Sequence, residues 1–258
     1  MVLRGIRLAD NVKETLLFSD VHLKPKAYED NGRKEFIRFL KEIDTDRVGR
    51  LVCLGDLFDF WFEYKHVVFA DYFDVLHQLF TLHEAGVELH LLRGNHDLWA
   101  GDQLKQLTGM QVHPDRLRLP FGTKEALLFH GDGMNPDDRR YLWFKRAASN
   151  SFLQRLFRCI HPDRAMALAQ FLSNLSRRKL KAPNPGKGPE ALILQEHARS
   201  MIESGQESII ICGHAHAPLI QHIEEGETSG IYINTGDWPL HRSYVRFSGG
   251  EFTLHSYC

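Results

Sequence analysis

The chain has 258 residues, 43% of them hydrophobic and 25% charged, with a formal net charge of -1. These figures suit one sizeable α/β domain with a full core and exclude a disordered or fibrous chain; no stretch approaches the roughly 20 apolar residues of a membrane span. Cys53, Cys159, Cys212 and Cys258 fall singly, without the spacing of a disulfide framework or zinc ribbon, and Met1 to Asn11 lacks a long apolar run, so a reduced cytosolic protein without a signal peptide is expected.

Thr15 to Ser19 reads as a buried strand that ends in Asp20-Val21-His22. In an extended chain the period of two would put Asp20 and His22 on one side, where a single cation reaches both. Asp30 to Ile43 has helical spacing at Phe36, Ile37 and Leu40. Arg50 to Leu54 is the next strand, breaking into Gly55-Asp56-Leu57-Phe58-Asp59 beside the aromatic run Phe60, Trp61, Phe62 and Tyr64. A helix over Ala70 to Ala85 leads to a third strand, Val87 to Leu92, which exits through Gly94-Asn95-His96-Asp97; Gly94 is expected to take a positive φ there.

A helix over Leu98 to Leu107 and strands near Gln111-Val112 and Leu117 to Leu119 precede Ala126 to Phe129, which ends in His130-Gly131-Asp132. Ser208 to Cys212 ends in Gly213-His214-Ala215-His216, and the tail reads as an antiparallel meander. Between them the alternation stops: residues 138–181 are helix-like, a Pro- and Gly-punctuated loop follows, and Glu190 to Ser204 is helical again. This predicts one domain over 1–258 with a helical insertion at 138–204. From Tyr141 to Gly188 there are ten Lys or Arg against one acid, Asp163, interleaved with Trp143, Phe144, Phe152, Leu156, Phe157 and Phe171. Solvated basic faces would account for this, and so would a site for an anionic amphiphile or an anionic bilayer surface.

Asp20, His22, Asp56, Asn95, His96, His130, His214 and His216 all stand at strand ends. Mixed imidazole and carboxylate donors without thiolate suit Mn, Fe or Zn, and a pair of such ions suits phosphate ester cleavage, with Asp56 the natural bridge.

These blocks resemble the calcineurin-like metallophosphoesterases: Asp20-x-His22, Gly55-Asp56, Gly94-Asn95-His96-Asp97, a later His130, and Gly213-His214-x-His216. The resemblance implies a four-layer αββα sandwich with an inserted helical cap. It implies one divalent ion on Asp20, His22, Asp56 and His216 and a second on Asp56, Asn95, His130 and His214, with a hydroxide between them attacking phosphorus. Asp56, Asn95 and His96 would be catalytic, His96 steadying the phosphoryl oxygens or protonating the leaving group.

Gly55-Asp56-Leu57-Phe58-Asp59-Phe60-Trp61, the Asp137-Asp138 and Tyr141 block and the basic insertion are similar to the UDP-2,3-diacylglucosamine diphosphatase family of lipid A biosynthesis. That resemblance implies a manganese enzyme that releases UMP, with Asn95, His96, Asp138, Ser176, Arg177, Lys179 and His214 touching an amphipathic sugar-nucleotide lipid. It also implies peripheral association with the inner face of the cytoplasmic membrane and no nucleic-acid partner. In the best-known branch of that family Arg stands at the position of His96, while His is the general superfamily choice. A phosphomonoester or phosphodiester substrate, such as a soluble nucleotide, is therefore the alternative.

Overall fold

The computed structural model describes residues 13–26, 31–177, 188–226 and 228–258. Lys179, and the side chains of Ser176 and Arg177, lie outside the described residues.

Strands β1 (Glu14–Phe18), β2 (Val48–Cys53) and β3 (Glu88–Leu92) run parallel, joined by helices α1 (Asn31–Lys41) and α2 (Phe73–Glu84). With β4 (Gln111–His113), β10 (Ser243–Ser248) and β11 (Glu251–Ser256) they form a six-stranded sheet ordered β11-β10-β1-β2-β3-β4. A second sheet, ordered β5-β6-β7-β9-β8, takes β5 (Arg116–Phe121), β6 (Lys124–Phe129), β7 (Ile209–Cys212), β8 (Leu219–Glu225) and β9 (Thr228–Asn234).

Side-chain alternation divides each central strand between two cores. Leu16, Phe18 and Leu51 face α1, α2 and α3 (Asp102–Thr108), whereas Leu17 and Val52 face the other sheet and meet Leu128, Ile211 and Ile233. Leu127, Phe129 and Ile210 point the opposite way, onto Leu194, Ala198 and Ile202 of α7 (Pro189–Glu203). The result is the αββα layering that the resemblance implied.

Three local expectations change. The tail is two hairpins in different sheets, because β9 pairs parallel with β7 while β10 pairs antiparallel with β1. α3 begins four residues later than the periodicity suggested; the Glu63 carboxylate accepts from the main-chain N–H groups of Gly101, Gln103 and Leu104 and fixes the helix start there. The helix-like stretch 138–181 is broken into α4 (Arg139–Ala148), α5 (Ser151–Phe157) and α6 (Pro162–Arg177). Asn150 caps α5 by accepting from Phe152 and Leu153, and Pro162 starts α6. α7 belongs to the body, so α4 to α6 are what rides on it. They hold through Trp99, whose Nε1 donates to Ala148 O (2.7 Å), and Tyr64, whose hydroxyl donates to Ile160 O (3.1 Å). Their other side leaves Trp143, Phe152 and Phe171 at least 64% exposed.

Candidate metal centre

The carboxyl ends of β1, β2 and β3 in one sheet and of β6, β7 and β9 in the other open onto a common site, which gathers the residues singled out above. Asp20, His22, Asp56, His214 and His216 all have φ between 50° and 65°. The left-handed region is sparsely populated by residues with a side chain, and such strain persists where surrounding contacts enforce it. Here Asp20 N donates to Gly55 O (3.0 Å), His22 N to Asp56 O (2.9 Å) and His214 N to Asp20 Oδ2 (2.8 Å). Asp20 and His22 therefore converge by curling the backbone and not by the period of an extended strand. Gly94 is not at positive φ. Glycine is needed because a Cβ there would overlap the Asp56 carboxylate and lie 2.7 Å from Asp56 N.

Three groups of side chains each bring donor atoms within 4.8 Å of one another: Asp20, His22 and His216; Asp20, Asp56 and His130; and His22, Asp59 and His96. Asp56 Oδ2, in the second group at 3.5 Å from His130 Nε2, also lies 3.9 Å from His22 Nε2 of the first, while Oδ1 accepts from His96 N (2.8 Å). Asn95 Oδ1 is 3.2 Å from His130 Nε2, and the His214 ring stands edge-on to His130 at 5.0 Å. Asp20 takes the place in the second group where His214 was expected; His214 Nε2 is 3.6 Å from Glu190 Oε2.

The imidazoles are aimed from behind. His130 Nδ1 donates to Leu54 O (2.7 Å) and His216 Nδ1 to Asp237 Oδ2 (2.8 Å), so each presents Nε2 to the site. Asp20 Oδ1 is buried without a hydrogen-bond partner, 3.5 Å from His216 Nε2 and 3.9 Å from His22 Nε2. A buried carboxylate oxygen facing two imidazole nitrogens suits a divalent cation, and the nitrogen and oxygen donors suit Mn, Fe or Zn.

Charge in this pocket is strongly coupled. Burial pushes the Asp56 carboxyl up, but His130, His96 and His22 outweigh it and hold the group well below the carboxylate range. Burial raises Asp20 and, with the nearby His130, lowers His214 to about 3. For His216 burial acts downward, but Asp20 and Asp237 bring it to about 9.

Three buried acids were not among the expected site residues, although Asp97 and Asp59 stand inside the motif blocks. Asp97 accepts from Gly94 N (2.7 Å), Leu57 N (2.8 Å) and Asp56 N (3.3 Å), tying the two ligand-bearing loops together. Asp59 lies behind His22 and His96, and its carbonyl is 2.9 Å from His96 Nδ1. Asp237 follows Gly236 at a strand end, the same pattern that drew attention to Gly55-Asp56. Asp138 spends its carboxylate on the N-terminus of α4, accepting from Tyr141 N (3.0 Å).

Acids and imidazoles delivered by parallel strand ends from two facing sheets define a hydrolase of phosphoester bonds that works with divalent metal. The chain belongs to the Calcineurin-like phosphoesterase family, whose model matches residues 14–237. It is 27% identical over 249 residues to UDP-2,3-diacylglucosamine hydrolase of Pectobacterium carotovorum, covering 94% of this chain and 98% of that one. The proteins of the same description from Vibrio cholerae (strain N16961) and Porphyromonas gingivalis are 29% and 28% identical, over 91% and 92% of this chain and 94% and 95% of theirs. Among the described residues no helix is long and apolar enough to cross a membrane.

Proposed function

We propose that the chain hydrolyses the diphosphate of UDP-2,3-diacylglucosamine to UMP and 2,3-diacylglucosamine 1-phosphate, with two manganese ions held by Asp20, His22, Asp56 and His216 and by Asp56, Asn95, His130 and His214. The observation that carries this reading is an apolar cavity of about 470 Å³ lined by Trp99, Phe144, Leu153, Leu156, Phe157 and Ile160. Trp99 lies three residues beyond His96 on the same loop, so an acyl-sized apolar volume adjoins a site built for anionic oxygen. The names of the relatives agree with this substrate.

Bound divalent ions supply positive charge at the phosphoryl oxygens and a more acidic water. The chain's own residues do the rest. Asp56 stays ionised and spans the two halves of the cage. His96 donates Nδ1–H to Asp59 O, and as the imidazolium it also presents Nε2–H to a phosphoryl oxygen or the departing group. Asn95 and His214 flank the phosphate, and Asp138, Ser176, Arg177 and Lys179 complete the contacts to the lipid nucleotide. The exposed Trp143, Phe152 and Phe171, with the surrounding arginines, rest on an anionic membrane surface at the inner face of the cytoplasmic membrane. The test is UMP release from the lipid nucleotide in the presence of Mn; cleavage confined to simple aryl phosphates would sink the assignment.

His96 favours a second reading. A phosphate leaving group has a second pKa near 6 and needs little acid help, whereas an alkoxide gains much from a proton donor. A phosphomonoester or phosphodiester substrate would then be cleaved faster than the lipid nucleotide, and the same assay panel separates the two.

A further inference from the structure

We infer that Asp237 and His241 are a positioning pair that fixes the imidazole of His216, so that one cation site depends on the loop following β9. The inference rests on the reading of the site as a cation cage. His22 and His130 are held by burial, their side chains 7% and 1% exposed, whereas that of His216 is 37% exposed. It needs a restraint, and Asp237 provides one.

The Asp237 carboxylate is 1% exposed, and both its oxygens are committed. Oδ2 accepts Nδ1–H of His216 at 2.8 Å; Oδ1 accepts both Nδ1–H of His241 at 2.6 Å and the His241 main-chain N–H at 3.1 Å. A carboxylate can only accept here, so both imidazoles carry their proton on Nδ1. With a cation bound in place of the second proton, His216 turns a lone pair on Nε2 toward Asp20 Oδ1 (3.5 Å); the other tautomer would drive an N–H into the cage. The fork is itself anchored, since Ser243 N donates to Asp237 O (3.1 Å). His241 lies beyond the residues matched by the family model, which end at 237.

The test is equilibrium dialysis of the metal-stripped full chain against Mn, counting bound ions at each concentration. Asp237→Ala is expected to weaken one of two sites about 10- to 100-fold and spare the other, the range found for partners behind metal-bound histidines. His241→Ala should weaken the same site by a smaller factor, and in a His216→Ala background Asp237→Ala should change nothing further. Both affinities within twofold of wild type in Asp237→Ala, or an equal extra loss in the His216→Ala background, would overturn the positioning role. Should Asp237→Ala fail to fold, His241→Ala carries the test, because it leaves Asp237 in place; an unchanged site there overturns the pair. A wild-type chain that takes up no Mn overturns the cage and the pair together, whereas two ions in wild type with indifferent variants overturns the pair alone.

Discussion

Asp97→Ala tests how the cage is held together, because Asp97 touches neither imidazole nor substrate in this account. The residue is fully buried and accepts three main-chain N–H bonds, from Gly94, Asp56 and Leu57. Alanine leaves all three donors buried without a partner, at about 1–3 kcal/mol each. It also removes a buried charge: burial, with Asp56 adding to it, raises the Asp97 carboxyl from 3.8 to about 6, a displacement that costs about 3 kcal/mol when the group is ionised. At the middle of that range the lost bonds outweigh the relief, and the expected net loss is about 3 kcal/mol, within roughly 0–6. Asp97→Asn keeps one acceptor oxygen without the charge and should fall between wild type and alanine. Urea unfolding of the metal-free chain at pH 8 measures both. An Asp97→Ala midpoint equal to wild type with an unchanged denaturant slope would refute the claim that Asp97 ties the two loops.

Gly94→Ala pushes a methyl group into the Asp56 carboxylate and to 2.7 Å from Asp56 N; misplacing the carboxylate by about 1 Å should lower turnover about 100-fold, and the overpacking should cost about 1–3 kcal/mol of stability, which turnover and urea midpoints measured together check. His90 and His113, with Nδ1 and Nε2 3.1 Å apart, are both held below the usual imidazole value by burial. The unfolded chain then binds more protons than the folded one, so stability is complete above about pH 6.5 and declines as pH falls below it. His90→Leu should flatten the urea midpoint between pH 8 and 5.5, and an unaltered slope would contradict this. Trp99→Ala removes the indole bond to Ala148 and ring contacts to Phe62 and Phe157 at 4.8 and 4.9 Å. It should raise KM for the lipid nucleotide about tenfold, or about 1.4 kcal/mol, without doing so for an aryl phosphate; equal effects would count against the apolar cavity as an acyl site.

The parts of this molecule readable from its sequence are those that local chemistry decides. Buried parallel strands announce themselves as apolar runs, and Gly55, Gly94 and Gly213 mark where each hands over to a ligand loop. The residue types at those ends pointed to divalent-metal chemistry before any contact was known. What stayed hidden depends on partners distant in the chain. The tail looked like one meander because β8 to β11 alternate alike, and only the parallel pairing of β9 with β7 separates them. Asp97 and Asp237 act through hydrogen bonds to other loops, so their places at glycine-marked strand ends were visible but their roles were not. The convergence of Asp20 with His22 was anticipated, but through an extended backbone, whereas residues at φ near 50° bring it about. In the insertion, apolar spacing continued across Asn150 and Pro162, and the cap and helix-start chemistry at those two residues overrode it.

The central claim is that side chains from two facing sheets hold two divalent cations about Asp56. Anomalous scattering from crystals soaked in manganese measures this most directly. Two peaks about 3.5–4 Å apart on either side of Asp56 Oδ2, one beside His216 and one beside His130, are the predicted result. Density for neither ion at that position, under saturating manganese, would contradict it.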